Sequence, residues 1–563
     1  MANDEQLGAA FRALSAIGFA PSGNAGGVRQ FIGTLNCRGA PVRIELHVED
    51  WEFLSYPPIK VLDGVDRELL APHINPYGWL CYLRTGEIVL DRCRPDIAVA
   101  QCLEQARGVL EKIKFDPEYR KRDIQDEFLS HWLNGPSTNV IRVLMGTTDA
   151  KGKSTWYWRV DGLNGVSNML SDRSEEVARI ASALGSTPPQ ATTCPCWLFR
   201  SELPPAVPAR MPSNVKELFA WLRSWDPAVN RELQAVLAEP TWQKYKYASF
   251  AIHTQAGWLG FAFALDPART VATQRKSTAY RQYLHNLGEQ VPLVRLWMEE
   301  IGPAFVHSRN LDFPSLLGKH VTVVGCGAIG SHVAEGLIRL GAGSGGGSLS
   351  LVDPENLEPE NLGRHTLGYP SLYRPKALGL RDELARKFPL ADVRGTATKA
   401  SEVPTLFDVD LLVDATGEEP VSEQLNVRRI GTGSTVPILH LWIVGNGDAV
   451  QALWAQGRMY ACYRCCLLQS TADGQRMERF PVLEKVPERR LIGCKAFTPY
   501  AVGAPMAAAA LGLEVVADWL ANKKDPSPRF RTRLTARTKA RQIRPQDVDR
   551  NPRCPVCGNS HAA

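Results

Sequence analysis

A strand, a glycine turn and a helix follow one another in VTVVGCGAIGSHVAEGLIRLG, residues 321–341. An apolar, β-branched run that breaks at a glycine reads as a strand buried on both faces, the kind a parallel sheet holds. Gly325 permits the tight turn, Gly327 lets a phosphate approach the backbone, and Gly330 allows close helix–strand packing. The helix that follows offers amide donors and partial positive charge at its N-terminus. Two further short apolar runs, SLSLVD and VDLLVDATG, alternate with helical patterns in IGSHVAEGLIRLG and RPKALGLRDELARKF. Strands alternating with helices in this way predict a doubly wound parallel sheet from about residue 309.

At 563 residues the chain is too long for one core. Residues 1–118 read as a small α+β unit. DEQLGAAFRALSAIGF and DIAVAQCLEQARGVLEKIK have helical spacing, and VRQFIGTLN and PVRIELHVE alternate as paired strands. Residues 119–308 form a mixed α/β module with strand-like NVIRVLM, STWYWRV and YASFAIHTQAGWLGFAFAL and helical SNVKELFAWLRSW. Within it, STPPQATTCPCWLFRSELPPAVPARMPSN is proline-rich and is expected to be a long loop.

The net charge of +6 is too mild to argue for nucleic-acid binding. RFRTRL, inside the densest basic run, alternates like an exposed strand whose arginines are solvated or meet an acidic partner. No apolar run reaches the length of a membrane span, and MANDEQLG is no signal peptide, so a cytoplasmic chain is expected. In a reducing compartment the 13 cysteines are better explained by metal or catalysis than by a disulfide framework.

Downstream of the glycine turn, Asp353 ends the next strand, where an acid accepts hydrogen bonds from a ribose. DPENLEPENLGRH and YRPKA then supply Arg364 and Lys376 to neutralise a polyphosphate, and the strand in LLVDATG ends on Asp414, which suits a magnesium ion. Each alone would also suit a surface salt bridge or a helix cap. In this order the segment 309–563 resembles the ThiF/MoeB/ubiquitin-activating superfamily, whose members adenylate the C-terminal carboxylate of a small protein. The resemblance implies that Asn361, Arg364 and Lys376 contact ATP, with Asp414 at Mg2+. It also implies that Arg309, in SRNLDFP, reaches across the boundary of a homodimer.

CYRC and CPVC place Cys462, Cys465, Cys554 and Cys557 in two knuckles whose four thiolates fit a closed, structural zinc site, with a redox-active pair as the rival reading. Cys466 is a bystander. Cys494 lies between the knuckles, beside Lys495, which favours the thiolate. In ubiquitin-type activating enzymes the thioester-forming cysteine occupies a comparable loop, the alternative being a buried core cysteine.

A second resemblance lies in YPPIKV and HINPYGWLCYL, which are similar to the active-site region of ubiquitin-conjugating enzymes. Tyr56, Pro57 and Pro58 match its first part, His73 and Asn75 its second, Gly78 and the nucleophilic Cys81 its third. Ile74 replaces the motif's proline, Tyr82 its leucine, and the interval from Asn75 to Cys81 is short. The chain as a whole resembles the bacterial activating–conjugating fusions of CD-NTase antiphage signalling systems. It is then expected to combine α+β and α/β domains: ubiquitin-conjugating-like at 1–118, a middle module at 119–308, and a ThiF-type adenylation domain with a four-cysteine zinc site at 309–563. The resemblance implies ATP-dependent activation of a partner's free C-terminus, a thioester on Cys494, transfer to Cys81 and conjugation to an amine on a target. The partner would be a cyclic-nucleotide synthase or a ubiquitin-like protein, and no membrane or nucleic acid takes part. Three other readings use fewer of these residues: a sulfur-carrier adenylyltransferase with no use for Cys81, a non-catalytic nucleotide-fold protein, and an NAD-linked oxidoreductase.

Overall fold

The computed structural model describes residues 4–65, 70–83, 88–133, 140–148, 154–162, 165–186, 189–239, 245–266, 279–469, 476–492, 495–521, 526–535 and 540–558. Two compact units divide the chain, one of 1–172 with 189–299, the other of 173–188 with 300–563.

The first unit opens with an antiparallel meander: β1 (Ala20–Ala25), β2 (Val28–Cys37), β3 (Ala40–Val48), β4 (Ile59–Asp63) and β5 (Trp79–Leu80). Gly26 and Gly27 both take positive φ, 61° and 90°, as the two-residue turn between β1 and β2 demands. Along β3 alternate residues Val42, Ile44, Leu46 and Val48 are fully buried, the period of a strand covered on one face. The helix Pro95–Phe115 covers that face with Ala98, Val99, Cys102, Leu103, Ala106, Leu110 and Ile113, spaced three and four apart. Truncating one such side chain, Leu110→Ala, would cost about 2–5 kcal/mol. Asp116 ends this helix and caps the next, Pro117–Asp126, by accepting from Tyr119 N at 2.9 Å, with Pro117 at the first helical position.

Six more strands and one in the proline-rich stretch close into a barrel. They are β6 (Val140–Met145), β7 (Ser154–Gly162), β8 (Gly165–Ser171), β9 (Gln190–Arg200), β10 (Tyr247–Thr254), β11 (Gly257–Ala264) and β12 (Val294–Glu300), in the order β10-β11-β12-β6-β8-β7-β9. The long loop expected over that stretch is therefore corrected: Gln190–Arg200 is a strand, paired parallel to β10. Its pairing with β7 changes register between Trp156 and Trp158, opposite Pro195, and such an irregularity accommodates a residue lacking N–H. The helix Val215–Trp225 is capped by Asn214, which accepts from Glu217 N at 3.0 Å, and buries its apolar face in the aromatic core beside the barrel.

The second unit holds a seven-stranded sheet. Its order is β15 (Val393–Thr396), β14 (Ser348–Val352), β13 (His320–Val324), β16 (Leu411–Asp414), β17 (Ile438–Val444), β18 (Ala449–Ala455) and β23 (Phe530–Leu534). The first five are parallel and the last two antiparallel. Chain order reverses on either side of β13, so the crevice at its carboxyl end is the position where doubly wound sheets bind ligands. Two short ribbons, β19 (Leu467–Gln469) with β20 (Arg476–Glu478) and β21 (Arg490–Ile492) with β22 (Lys495–Phe497), lie between β18 and β23.

The basic RFRTRL segment is β23, and its arginines are paired within the chain. Arg531 Nη2 donates to Asp518 Oδ2 at 2.5 Å, Arg533 to Glu514 at 2.6 Å, and buried Arg529 to Asp547 at 2.9 Å. One helix, Gly503–Ala521, departs from expectation by being long and apolar enough to cross a membrane. Half of it is buried, and Gly512 lets Leu441 of β17 come against its backbone, which is the packing of a core helix.

Candidate active site

The glycine turn is built by exclusion. Gly325 has φ +86°, and a Cβ there would stand 2.8 Å from Thr416. A Cβ on Gly330 would lie 1.8 Å from the Gly325 carbonyl oxygen, so the first turn of the helix Ala328–Arg339 folds directly onto the loop. Gly327, the N-cap of that helix, differs: its Cβ would meet no protein atom within 4 Å. A glycine with open space beside it, at a helix N-terminus, leaves room for a phosphate to approach the backbone cradle.

Asp353 holds this loop. Its Oδ2 accepts from Cys326 N at 2.6 Å and its Oδ1 from Glu355 N at 2.8 Å. Burial pushes its carboxyl above the ordinary value, against those two donors and the Lys376 charge. Lys376 begins the helix Lys376–Lys387. Its ammonium, 7% exposed, pairs with Glu355 Oε2 at 2.6 Å and is felt by Asp353, His365 and Cys326 alike. Arg364 is half-buried, bonds the Glu360 carbonyl at 3.3 Å and lies 5.3 Å from the Tyr500 ring, in the segment leading into the helix Gly503–Ala521. Asn361 uses its Oδ1 to accept from Glu358 N at 2.9 Å, closing the turn that carries Arg364, and two amide N–H donors remain. Asp353, Asn361, Arg364 and Lys376 thus gather around the glycine cradle, a set that fits a polyphosphate nucleotide.

Two further expected residues have other surroundings, although Asp414 pairs with Val324 beside the glycine loop. Arg309 is exposed at the end of the helix Pro303–Ser308, with its guanidinium 5.7 Å from the Phe305 ring. Asp414 is wholly buried, and both its oxygens are used. Oδ1 accepts from Thr416 Oγ1 at 2.7 Å, Oδ2 from Ser422 Oγ at 2.5 Å and from His440 Nδ1 at 2.7 Å. Burial raises its carboxyl pKa, but those donors outweigh it and hold the group below the ordinary range. Magnesium needs carboxylate oxygens that are free and reachable, so Asp414 does not fit the ion in this conformation. Asp414 is thus part of an internal Asp–His–Ser cluster, and an ion held there would have to displace those donors.

His365, within NLGRH, carries no expected role in the sequence. Its Nε2 donates to Cys326 O at 2.6 Å and its Nδ1 accepts from Leu367 N at 2.9 Å, tying the Arg364 turn to the glycine loop. Burial lowers its pKa from 6.5 to about 4. Between those values an unfolded chain binds a proton that the folded chain refuses, so stability falls as pH drops through this window. Denaturant unfolding of this unit should show about 2 kcal/mol lost between pH 7 and 5 through this one group. His365→Gln should flatten that slope, and an unchanged slope would mean the imidazole is not held neutral.

Among the described residues, Cys462, Cys465, Cys554 and Cys557 are buried with all four Sγ atoms within 4.8 Å of one another. Three separations are 3.8 Å (462–465), 3.7 Å (462–554) and 3.4 Å (465–557), far beyond a disulfide's ~2 Å. Thiolates at about 2.3 Å from a tetrahedral zinc stand about 3.8 Å apart, so the cluster fits that ion. Cys494 lies outside the described residues; β21 and β22 on either side of it pair with each other.

In the first unit Cys81 is exposed at the end of a closed hairpin. Its N–H donates to His73 O at 2.7 Å, Ile74 bridges Leu80, and Asn75 N donates to Trp79 O at 3.0 Å. Asn75 Oδ1 accepts from Tyr77 N and Trp79 N, both at 3.0 Å, so this side chain builds the turn. The short interval from Asn75 to Cys81 is thus a hairpin with Gly78 at φ +89°, and β5 anchors it to β4. His73 takes φ +60°, uncommon for a residue with a Cβ, and its ring is clamped: Nε2 lies 2.8 Å from Asp123 Oδ2 and 2.9 Å from Tyr119 Oη. Those partners sit on the helix Pro117–Asp126, some fifty residues downstream, where no sequence signal points. Tyr82 fills a buried slot and donates its hydroxyl to Pro57 O at 2.8 Å, which explains a tyrosine in place of the motif's leucine.

Comparison with known proteins agrees with this geometry. Residues 307–556 match the ThiF family and residues 23–138 match Prokaryotic E2 family B. The ATP-dependent ubiquitin transferase-like protein Cap2 of Pseudomonas aeruginosa is 29% identical, over 93% of this chain and 92% of its own. Cap2 of Escherichia coli is 24% identical over 92% and 91%. The sulfur carrier protein adenylyltransferase of Thermus thermophilus is 29% identical over 42% of this chain and 82% of its own. The chain is a fusion of an E2-like domain and a ThiF-type adenylation domain, resembling the Cap2 proteins along nearly its whole length.

Proposed function

We propose that this chain is a ubiquitin-like activating and conjugating enzyme working in the bacterial cytoplasm in antiphage defence. The C-terminal carboxylate of a partner, a cyclic-nucleotide synthase or a ubiquitin-like protein, attacks the α-phosphate of ATP held at the Gly327 cradle. Pyrophosphate leaves, its charge met by Lys376 and Arg364. The Cys494 thiolate then displaces AMP, the Cys81 thiolate displaces Cys494, and an amine on a target displaces Cys81, forming the amide. Covalent catalysis divides one difficult condensation into easier exchanges. The four cysteines hold zinc as a structural clip, and Arg309 serves a homodimer by reaching the partner copy's nucleotide. The single observation that supports this reading most is Cys81: an exposed thiol on a clamped E2-like hairpin, in one chain with the nucleotide cradle.

Intact-mass spectrometry without reductant, on reactions with ATP, Mg2+ and a candidate partner, tests it. Wild type should carry the partner as a thioester, Cys494→Ala should carry none, and Cys81→Ala should trap one on Cys494 while conjugate formation drops by at least about 10³-fold, as loss of a nucleophile does. A conjugate that forms unimpaired in Cys81→Ala sinks the relay. It would favour instead a sulfur-carrier adenylyltransferase, the reading that the resemblance to the Thermus thermophilus enzyme supports.

A further inference from the structure

A groove of about 1450 Å³ opens beside Cys81. One wall is the His73–Cys81 hairpin with Asp126, Glu127 and Leu129 from the adjoining helices. The other comes from the middle region, as Arg210, Met211, Glu217 and Trp221. This volume exceeds the ~300–1,000 Å³ of small-molecule pockets and suits a segment of polypeptide.

We propose that the middle region completes the Cys81 site, and that the groove receives the acyl acceptor as a lysine-bearing protein segment, ammonium end toward the thiol. This inference rests on the conjugation reading above and names the acceptor side of that site. The charge of the walls decides the occupant. Carboxylates enter from both sides, Asp126 and Glu127 from one and Glu217 from the other, against Arg210 as the lysine or arginine among the lining residues. Glu127 Oε2 lies 3.8 Å from His73 Nδ1, on the residue whose carbonyl bonds the Cys81 N–H. Glu217 is held in place by Ser213 N–H at 2.7 Å and Ser213 Oγ at 2.9 Å. Such a potential draws an ammonium and repels a carboxylate tail. Leu129, Met211 and Trp221 supply apolar surface for the methylene stem of a lysine.

The test needs neither ATP nor a partner, so its outcome is independent of the relay. The whole chain, carrying Cys93→Ser to remove a second exposed thiol, is treated with cystamine, bis(2-hydroxyethyl) disulfide or dithiodiglycolate. The rate of mixed-disulfide formation at Cys81 is followed by peptide mapping. At low salt, cystamine should outpace dithiodiglycolate by about tenfold more than it does on a free cysteine peptide, and added salt should shrink that preference. Glu217→Gln and Glu127→Gln should each reduce the preference at least about threefold while the neutral probe reacts as before, showing that the fold is intact. A preference for dithiodiglycolate would show that the groove does not favour an ammonium and would overturn the proposal. A preference untouched by Glu217→Gln would remove the middle region from the site and overturn it equally. Where Cys81 thioester is obtained, its discharge onto Nα-acetyl-lysine amide should slow in Glu217→Gln with hydrolysis unchanged, and equal slowing of both would also overturn it.

Discussion

Gly330→Ala should destabilise the ThiF-type unit by about 3 kcal/mol and abolish ATP binding, although glycine to alanine in an open helix gains about 1 kcal/mol. The sign is reversed because the new Cβ would lie 1.8 Å from the Gly325 carbonyl oxygen. That atom is backbone, fixed by the β13-to-helix turn and by Asp353, so either the helix or the loop must move. Gly327→Ala is the contrasting change. Its Cβ meets no protein atom within 4 Å, so the melting temperature should stay within about 1 °C of wild type while the affinity for ATP falls at least tenfold. Calorimetric titration with ATP alongside thermal unfolding separates the two. A Gly327→Ala chain that binds ATP normally would move the phosphate away from this loop. A Gly330→Ala chain that is stable and binds ATP would refute the packing argument.

Breaking the cysteine cluster is the second large effect. Cys462–Cys465 and Cys554–Cys557 come from turns 92 residues apart, and the sulfurs join them under β18 and β23. A zinc ion held there would close a long loop and supply folding free energy, as much as ~10–16 kcal/mol in isolated zinc-finger peptides. The unit has its own large core around β13, so a smaller share is expected here. Cys465→Ser should cost about 3–5 kcal/mol and release the metal, and chelation of wild type should do the same reversibly. Elemental analysis should find one zinc per chain in wild type and none in Cys465→Ser. Protein without metal, or a variant as stable as wild type, would leave the four thiols as ordinary core residues.

Much of the glycine loop's geometry was legible because it is local. Gly325, Gly327, Gly330 and Asp353 lie on one strand–turn–helix–strand unit, and backbone sterics demand those residue types at those places. The knuckles were legible for a similar reason, since two thiolates three residues apart face one ligand. The surroundings of Asp414 were not legible, because its position at a strand end says nothing of what fills the space around it. Ser422 and His440 take up its oxygens from other elements. Pro195 and its neighbours argued for a loop, and barrel closure overrode that local preference by supplying β10 as a parallel partner.

What the residues determined alone is what neighbours in the chain decide: the glycine turn, the paired cysteine knuckles, the alternating faces of β2 and β3, and Cys81 at the end of a turn-rich stretch. Tertiary structure decided which distant groups meet. It brought Asp123 and Tyr119 to His73, His365 to the Cys326 carbonyl and Glu217 to the groove beside Cys81. Hydrogen bonds and charges act over a few ångströms, and the separations along the chain that bring those groups together carry no periodicity to read.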